Sequence, residues 1–345
     1  MVNRKNIYYV IESIEWVIAW EGRAISSNLK KLHNLNIKLL KSSRRRISRI
    51  NNQIIHFGSR NTYLPENYKY VPGTNKLILT WYHGSDKDSE YINLLPHVAD
   101  KLEMVHTSCT ISRDKLVSWG MEPEKIKIIP IGIYVGHFKN CLKLDKSIVR
   151  KKLGIPDDAI CIGSFQKDGD GWGEGLKPKM IKGPDIFCEV VKKLDKKYPV
   201  FVLLTGPARG YVKEQLGKAG IKYAHFYPRD NLKLPFYYRA LDLYLVTSRV
   251  EGGPKAMMES FASKVPLIST DVGMVHDLAM DSNNAMVSKI DDIDGLVSNC
   301  EKVINDPVLK DKIIGNGFNT VPALDWSVLA DIYYKEIYSG LLDKE

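Results

Sequence analysis

Long hydrophobic runs are missing from this sequence: no apolar stretch reaches the roughly 20 residues that a membrane-spanning helix needs. Closely spaced cysteines are missing as well, since the five cysteines are scattered and none forms a Cys-x-x-Cys pair. A disulfide framework and a zinc site are therefore not expected, and reduced thiols in a cytoplasmic protein fit better. The first residues contain no hydrophobic segment with a small-residue cleavage site, so we expect no signal peptide.

Acidic residues are absent between Glu21 and Glu66. Residues 22–65 contain instead ten basic residues, namely Arg23, Lys30, Lys31, Lys38, Lys41, Arg44, Arg45, Arg46, Arg49 and Arg60. The whole chain has a net charge of +10, so this block dominates its charge balance. Such a block attracts a polyanion, which leaves an anionic membrane surface, nucleic acid or an acidic substrate open as partners. An ordinary solvated surface is the alternative.

The composition is that of a globular protein, because 44% of the residues are hydrophobic and only 26% are charged. Short apolar runs alternate with helical patterns, and this alternation indicates parallel strands joined by helices. The predicted strands are 7–12, 36–41, 53–57, 76–81, 104–108, 125–129, 160–165, 200–205, 222–227, 243–247, 266–270 and 285–288. The predicted helices between and after them include 23–34, 254–263 and 327–342.

Two consecutive series of strand–helix units predict an α/β protein with two doubly wound, Rossmann-like domains. The best linker is residues 130–136, which are followed by a polar stretch. We therefore expect an N-terminal domain over residues 1–140 and a C-terminal domain over residues 141–324. One glycine-rich insertion, residues 166–183, is long enough to act as a mobile functional loop.

The stretch "TSRVEGGPKAMMES", Thr247–Ser260, follows a predicted buried strand. Gly252 and Gly253 lie at the turn from strand to helix, where the backbone can approach a ligand closely. Pro254 suits the first helical position. The new helix directs its free N–H groups toward the carboxyl edge of the sheet, which makes the turn a candidate site for a diphosphate.

The two glutamates of this stretch, Glu251 and Glu259, are candidates for a catalytic pair, a ligand clamp or the solvated rim of a helix. Helix geometry, extended over the turn, places them roughly 10–12 Å apart. The acid and base of a glycoside hydrolase lie about 5–9.5 Å apart, so this spacing favours a clamp on a nucleotide-sugar. In that interpretation Glu251 holds sugar hydroxyls and Glu259 holds the ribose.

The block "TSRVEGGPKAMMESFASKVPLISTDVGMVHDL", Thr247–Leu278, resembles the Glu-x7-Glu motif of the retaining glycosyltransferases of family 4. The segment "KIKIIPIGIYVGHF" resembles the interdomain segment of that family, and "DWSVLADIYYKEIYSGLL" resembles its last helix. The resemblance implies the GT-B fold, in which two Rossmann-like domains face each other across a cleft. It also implies that the C-terminal helix, about 325–345, packs back on the N-terminal domain.

The resemblance assigns Glu259 to the ribose hydroxyls, and Glu251 with the turn Gly252–Lys255 to the donor sugar and phosphates. Lys182, in "IKGPD", matches the lysine that neutralises the donor diphosphate without a metal. A solvated loop lysine is the alternative. His83 matches a histidine that contacts the donor sugar or the acceptor in many relatives, and a capping or core histidine is the alternative.

The sequence departs from the family pattern where the donor phosphates bind. The usual arginine after the first strand of the second domain is missing, and we expect Lys167 as its substitute, with Lys179 nearby. The glycine-rich loop after the first strand of the chain is reduced to Gly22, beside Arg23. Arg229 lies near the place where relatives hold the nucleobase, and a surface arginine is the alternative.

The expected function is transfer of a sugar, with retention of configuration, from a nucleotide diphosphate-sugar to a hydroxyl acceptor in glycan, polysaccharide or glycolipid synthesis. No bound cofactor or metal is expected, and the acceptor is a glycan or is lipid-linked. Residues 22–65 are expected to attach the protein to the anionic inner face of a membrane. A nucleotide-sugar epimerase or phosphorylase is an alternative. A nucleic-acid-binding protein is disfavoured, because no aromatic residue lies in the basic run from Lys30 to Arg49.

Overall fold

A computed structural model describes residues 6–13, 17–64, 66–85, 88–228 and 230–342. The chain divides into two compact units. The first unit consists of residues 1–132 together with residues 323–345, and the second consists of residues 133–322. The chain therefore leaves the first unit, builds the whole of the second, and then returns to the first. Among the described residues, no helix is both long enough and apolar enough to cross a membrane.

The strands form two parallel six-stranded sheets, one in each unit. The strands of the first sheet are β1 (Ile7–Ile11), β2 (Ile37–Lys41), β3 (Ile54–Phe57), β4 (Lys76–Thr80), β5 (Leu102–Thr107) and β6 (Ile126–Ile128). The strands of the second sheet are β7 (Ile160–Phe165), β8 (Val200–Thr205), β9 (Lys222–Phe226), β10 (Leu243–Val246), β11 (Leu267–Thr270) and β12 (Met286–Ser288). The strand orders are β2-β1-β3-β4-β5-β6 and β12-β11-β10-β7-β8-β9.

At least one helix lies in each connection between consecutive strands. In chain order the helices are α1 (Val17–His33), α2 (Arg44–Ile47), α3 (Arg60–Tyr63), α4 (Ser89–Val98), α5 (Thr110–Ser118), α6 (Val135–Cys141), α7 (Lys146–Leu153), α8 (Pro184–Asp195), α9 (Gly210–Lys218), α10 (Leu234–Tyr238), α11 (Lys255–Ala262), α12 (Met274–Leu278), α13 (Ile293–Asn305), α14 (Pro307–Thr320), α15 (Trp326–Tyr333) and α16 (Ser339–Leu342). A π-helical turn, Tyr334–Tyr338, joins α15 to α16.

Both faces of the first sheet are buried, because neighbouring residues of one strand enter different cores. Ile54 and Ile78 belong to a core that also contains residues of α1 and α15, whereas Ile55 and Leu79 belong to a core with residues of α4 and α5. This alternation follows from the two-residue period of a strand. Helices on both faces are what a parallel sheet of continuous apolar strands requires.

The predicted two-sheet α/β architecture is confirmed, and all twelve predicted strands are present within two residues of their expected bounds. The helix expected at 23–34 is wrong in its start, because α1 already includes Val17. The expected loop at Gly22 is therefore wrong as well. Gly22 lies inside α1, where a Cβ would be 2.8 Å from the ring of Tyr9, so the missing side chain lets the helix pack on β1.

Candidate active site

The strand order of the second sheet reverses between β7 and β10. The chain continues from β7 to β8 on one side, whereas β10 pairs in parallel with the other side of β7. In open α/β sheets, ligands bind beyond the carboxyl ends of the strands at such a switch point. Two segments begin there, residues 166–183 after β7 and residues 247–254 after β10. These segments contain most of the predicted site residues.

The side chains of Lys182 and Glu251 form an ion pair, with Nζ 2.6 Å from Oε1. Ser248 Oγ donates a further hydrogen bond of 2.9 Å to the same carboxylate oxygen. The Lys182 and Glu251 side chains are only 19% and 9% exposed, so water screens the pair weakly. The alternative of Lys182 as a solvated loop lysine is therefore wrong. A lysine held in this way can exchange its carboxylate partner for an incoming anion.

Gly183 fixes the position of Lys182 in the short 3-10 turn Met180–Lys182. Its φ is +61°, and its carbonyl accepts a hydrogen bond of 2.8 Å from Thr247 Oγ1. A Cβ at Gly183 would lie 1.8 Å from the carbonyl oxygen of Thr247, so only glycine fits. The 3-10 turn therefore packs directly against the end of β10, from which Glu251 also extends.

The glycine turn after Glu251 is braced by the neighbouring turn before α12. The N–H of Met274 donates a hydrogen bond of 3.1 Å to the carbonyl of Gly252. A Cβ at Gly273 would lie 2.5 Å from that same carbonyl oxygen. Pro254 is the N-cap of α11, with an extended ψ of 99°, so its predicted place as the first helical residue is wrong by one position. Lys255 begins the helix.

Glu259 is a buried carboxylate on α11, with 7% exposure. The hydroxyl of Tyr238 donates a hydrogen bond of 3.1 Å to its Oε2. Burial raises the pKa of Glu259, and the charge of Lys255 and the Tyr238 hydrogen bond oppose that rise. Since Glu251 is also nearly buried, the alternative of two glutamates on a solvated helix rim is wrong. A buried carboxylate with acceptor capacity to spare is suited to accept hydrogen bonds from ligand hydroxyls.

Three lysines of the segment 166–183 lie within electrostatic range of one another. Burial lowers the pKa of Lys179, and the charges of Lys182 and Lys167 lower it further. Lys167 also places its ammonium 4.0 Å from the centre of the Trp172 ring, a cation–π contact. The charges of Asp170 and Glu251 act on Lys179 in the opposite direction. Three cations near two carboxylates leave a positive potential that an anion would neutralise.

The segment 166–183 is held in place by an ion pair, by hydrogen bonds and by close packing on the loop around Ala208. The buried side chains of Asp168 and Arg209 form an ion pair of 2.9 Å, and the carbonyl of Asp168 accepts a 2.7 Å hydrogen bond from Lys179 N–H. A Cβ at Gly169 or Gly175 would collide with the backbone of Ala208. The glycines therefore allow close packing on the neighbouring loop, which holds the lysines in place.

The family model described as "Glycosyl transferases group 1" matches residues 176–320, which include Lys182, Glu251 and Glu259. The lipopolysaccharide core biosynthesis mannosyltransferase LpsB of Rhizobium meliloti (strain 1021) is 26% identical over 172 residues, covering 47% of this chain and 46% of that protein. The O-antigen biosynthesis glycosyltransferase WclY of Escherichia coli is 28% identical over 164 residues, covering 46% and 41%. The resemblance to glycosyltransferases is confirmed.

Solved structures extend the similarity to the whole fold. The structure of Anabaena HepE in complex with UDP and glucose has a TM-score of 0.75 at 14% identity and covers 97% of this chain and 100% of that one. A glycosyltransferase from Rickettsia africae ESF-5 has a TM-score of 0.75 at 15% identity, covering 99% and 100%. The chain therefore has the GT-B fold of these glycosyltransferases. In sequence, it spans about half the length of the curated relatives it matches.

Three residues expected from the glycosyltransferase pattern belong to the first unit or lie outside the described residues. His83 is exposed in the loop after β4 of the first unit, and its carbonyl accepts a 3.1 Å hydrogen bond from Arg60. Its contact with donor or acceptor stays a prediction. Gly22 is inside α1 of the first unit. Arg229 lies outside the described residues, so its predicted place near the nucleobase is not addressed.

Sequence reasoning missed three residues that position the candidate site. Ser248 bonds Glu251, Tyr238 bonds Glu259, and Arg249 bonds the turn that carries Lys182. Ser248 and Arg249 stand directly before the Glu-Gly-Gly motif, and that nearness is a usable signal. Tyr238 is 21 residues from Glu259, and only the fold brings the two together.

Proposed function

We propose that this protein is a retaining glycosyltransferase that moves a sugar from a nucleotide diphosphate-sugar to a hydroxyl acceptor. The observation that carries the proposal is the Lys182–Glu251 ion pair at the switch point, with the buried Glu259 on the helix that follows. The expected place of the reaction is the synthesis of a cell-surface glycan. The names of LpsB and WclY, which concern lipopolysaccharide core and O-antigen, support that expectation.

Each group has a role that its surroundings favour. The diphosphate takes Lys182 as its counter-ion and frees the Glu251 carboxylate to accept hydrogen bonds from sugar hydroxyls. The N–H groups at the start of α11 bind phosphate oxygens, and Glu259 accepts from the ribose. Charge on the departing diphosphate grows in the transition state, so cations that are already in place stabilise it without reorganising. Side chains of the chain itself thus supply the charge compensation for this step.

The donor nucleotide is expected to carry uracil, since the HepE structure holds UDP. We also propose that the protein acts at the cytoplasmic, anionic face of a membrane, through residues 22–65. Arg44, Arg45 and Arg46 make up most of the short helix α2 after β2, and all three are exposed. Within the described part of the chain, none of the three forms an ion pair. Exposed, uncompensated cations at one place favour an anionic lipid surface.

A binding measurement tests the donor site. We expect UDP, among UDP, GDP, dTDP and ADP, to raise the melting temperature of the protein, with a gain of about 2.7 kcal/mol at about 100 times its Kd. Lys182→Met should reduce the UDP-dependent gain without removing it, because the diphosphate loses one of the several groups that bind it. The exposed Lys197, in an ion pair of the same kind with Glu301, provides the control Lys197→Met, which should keep the full gain.

The reaction itself is tested by product analysis with and without acceptor. A glycosyltransferase consumes nucleotide-sugar at a substantial rate only when a hydroxyl acceptor is present, and the anomeric configuration is retained. Conversion of the donor to its epimer without acceptor would replace the proposal by the epimerase alternative. If none of the four nucleotides shifts the melting temperature, the donor site itself is refuted.

A further inference from the structure

Arg249 lies between the end of β10 and the turn that carries Lys182. Its guanidinium binds Asp185 in a two-pronged ion pair, with Nη1 2.9 Å from Oδ1 and Nη2 2.7 Å from Oδ2. Nη1 also donates a hydrogen bond of 2.8 Å to the carbonyl of Met180, the first residue of the turn. The Nε atom of the same guanidinium donates a hydrogen bond of 2.7 Å to Asp291 Oδ1.

The backbone makes the same connection. The N–H groups of Arg249 and Val250 both donate to the carbonyl of Ile181, at 2.9 and 3.1 Å. Met180 and Ile181, the two residues before Lys182, thus accept hydrogen bonds from Arg249 or Val250. Glu251 is the next residue after Val250. Every one of these bonds joins the segment that carries the ammonium to the segment that carries the carboxylate.

Asp185 anchors the other end of the connection in α8. It lies in the first turn of that helix, where a negative charge interacts favourably with the helix dipole. Burial alone would raise the pKa of Asp185, but the hydrogen bonds and charge of Arg249 hold it below its ordinary value. The carboxylate therefore stays ionised across the neutral range, and the two-pronged contact with Arg249 persists there.

We propose that Arg249 is a positioning residue for the donor site: it holds the Lys182 turn against the end of β10 and so sets the distance between Lys182 Nζ and the Glu251 carboxylate. This inference rests on the proposed donor site and adds a residue to it. The hydrogen bonds of the Arg249 side chain go to Met180, Asp185 and Asp291, and not to Lys182 Nζ or the Glu251 carboxylate. Arg249 acts through Met180 and Asp185, and a planar guanidinium suits that task because it bonds a carboxylate and a carbonyl at once.

The test compares Arg249→Gln, Arg249→Lys and Lys182→Met, singly and with Arg249→Gln and Lys182→Met combined. We measure UDP affinity and the donor KM and kcat. Arg249→Gln is expected to weaken UDP binding and lower kcat/KM about 10- to 100-fold, because a displacement of about 1 Å has effects of that size. Arg249→Lys, which keeps the charge, should recover part of the loss. In the Lys182→Met background, Arg249→Gln should add less than about a two-fold loss, because both changes act through one contact.

Asp291→Asn is the matched control. Asp291 binds the same guanidinium but is 58% exposed and does not touch the Lys182 turn. Its φ is +65°, a conformation that asparagine tolerates, so the backbone should be undisturbed. The variant should bind UDP within about two-fold of the parent, as surface contacts of this kind contribute little. Melting curves confirm folding, and Arg249→Lys carries the test if Arg249→Gln does not fold.

The outcomes distinguish failure of the positioning role of Arg249 from failure of the proposed donor site. If the parent protein binds UDP and Arg249→Gln binds it equally well, the positioning role is refuted while the donor site stands. If the losses from Arg249→Gln and Lys182→Met multiply, Arg249 does not act through Lys182 and the inference is again refuted. A parent protein that binds no nucleotide diphosphate refutes the donor site, and the inference with it.

Discussion

Glu259 shows at the scale of one residue how a ligand-binding group can lower the stability of the protein when no ligand is bound. Its carboxylate is buried on α11 with Tyr238 as a hydrogen-bond donor, and burial raises its pKa. A raised carboxylate pKa means that the folded state binds the proton more tightly than the unfolded state. The free energy of unfolding therefore falls as pH rises from the ordinary pKa through the raised one, and the cost is complete above the raised value.

Glu259→Gln should remove this cost, because glutamine carries no charge. In the absence of nucleotide, the variant should gain about 1 kcal/mol in the free energy of unfolding at pH 8, with no gain at pH 4, as judged by urea denaturation. The same variant should bind UDP about 10- to 100-fold more weakly, because a hydrogen bond to a charged group contributes about 1.5–3 kcal/mol. Glu189→Gln, an exposed glutamate of α8, is the control for both measurements. Unchanged UDP affinity in Glu259→Gln would remove Glu259 from the site.

The residues that carry ligand chemistry could be named from the sequence, whereas their partners could not. Lys182, Glu251 and Glu259 stand in motifs with a definite order of strand, turn and helix. The pairing of Lys182 with Glu251 depends on which strands are neighbours, and the strand order β7-β10 is a property of the sheet. The resemblance alone predicts a loop at Gly22, and the local sequence does not indicate that α1 continues through it.

At the scale of elements, the turn Met180–Lys182 and the glycine that ends it decide where the site lies. Gly183 and Gly171 both have a positive φ, of +61° and +68°. A Cβ at Gly183 would meet the backbone of Thr247, whereas a Cβ at Gly171 would meet nothing within 4 Å. Replacing either glycine by alanine would thus strain the backbone, but only at Gly183 would the new Cβ also collide with neighbouring atoms.

Gly183→Ala should lower the free energy of unfolding by about 3 kcal/mol or more, since either β10 or the Lys182 turn must move. Gly171→Ala should cost only about 1–2 kcal/mol, the usual penalty of a left-handed conformation for alanine. Guanidinium denaturation of both variants gives the comparison, with equal m-values as the check on two-state unfolding. Equal losses in the two variants would show that contact with Thr247 plays no part.

Strands were easier to predict than helices in this chain. Each strand is a short apolar run between polar segments, and burial of both faces of the sheets makes that signal strong. The helices α2 and α3 have four residues each, too few to display a helical period. The length of the glycine-rich insertion 166–183 predicts a mobile loop, and its mobility stays a prediction. Three of its glycines pack closely against residues 208 and 247, and no local sequence pattern indicates those contacts.

At the scale of the whole molecule, the net charge of +10 is concentrated in one part of the first unit. Replacing Arg44, Arg45 and Arg46 together by glutamine should weaken sedimentation with phosphatidylserine vesicles at low salt about 100-fold, at about 1 kcal/mol for each charge. High salt should weaken binding of the parent protein in the same direction.

A triple replacement of Lys193, Lys197 and Lys218 by glutamine removes the same charge from exposed positions of the second unit. This control should sediment with the vesicles as the parent does. If both triple variants lose binding equally, net charge alone governs attachment, and residues 22–65 have no special role.

The return of the chain to the first unit has a consequence for its synthesis. Trp326, Leu329 and Tyr333 belong to the same core as β1 and α1, yet they leave the ribosome after the whole of residues 133–322. The later unit can therefore fold while the earlier one still exposes an unfinished apolar face. Nascent chains are usually expected to fold from the N-terminus onward, but here residues that are translated after the second unit complete the unit that was begun first.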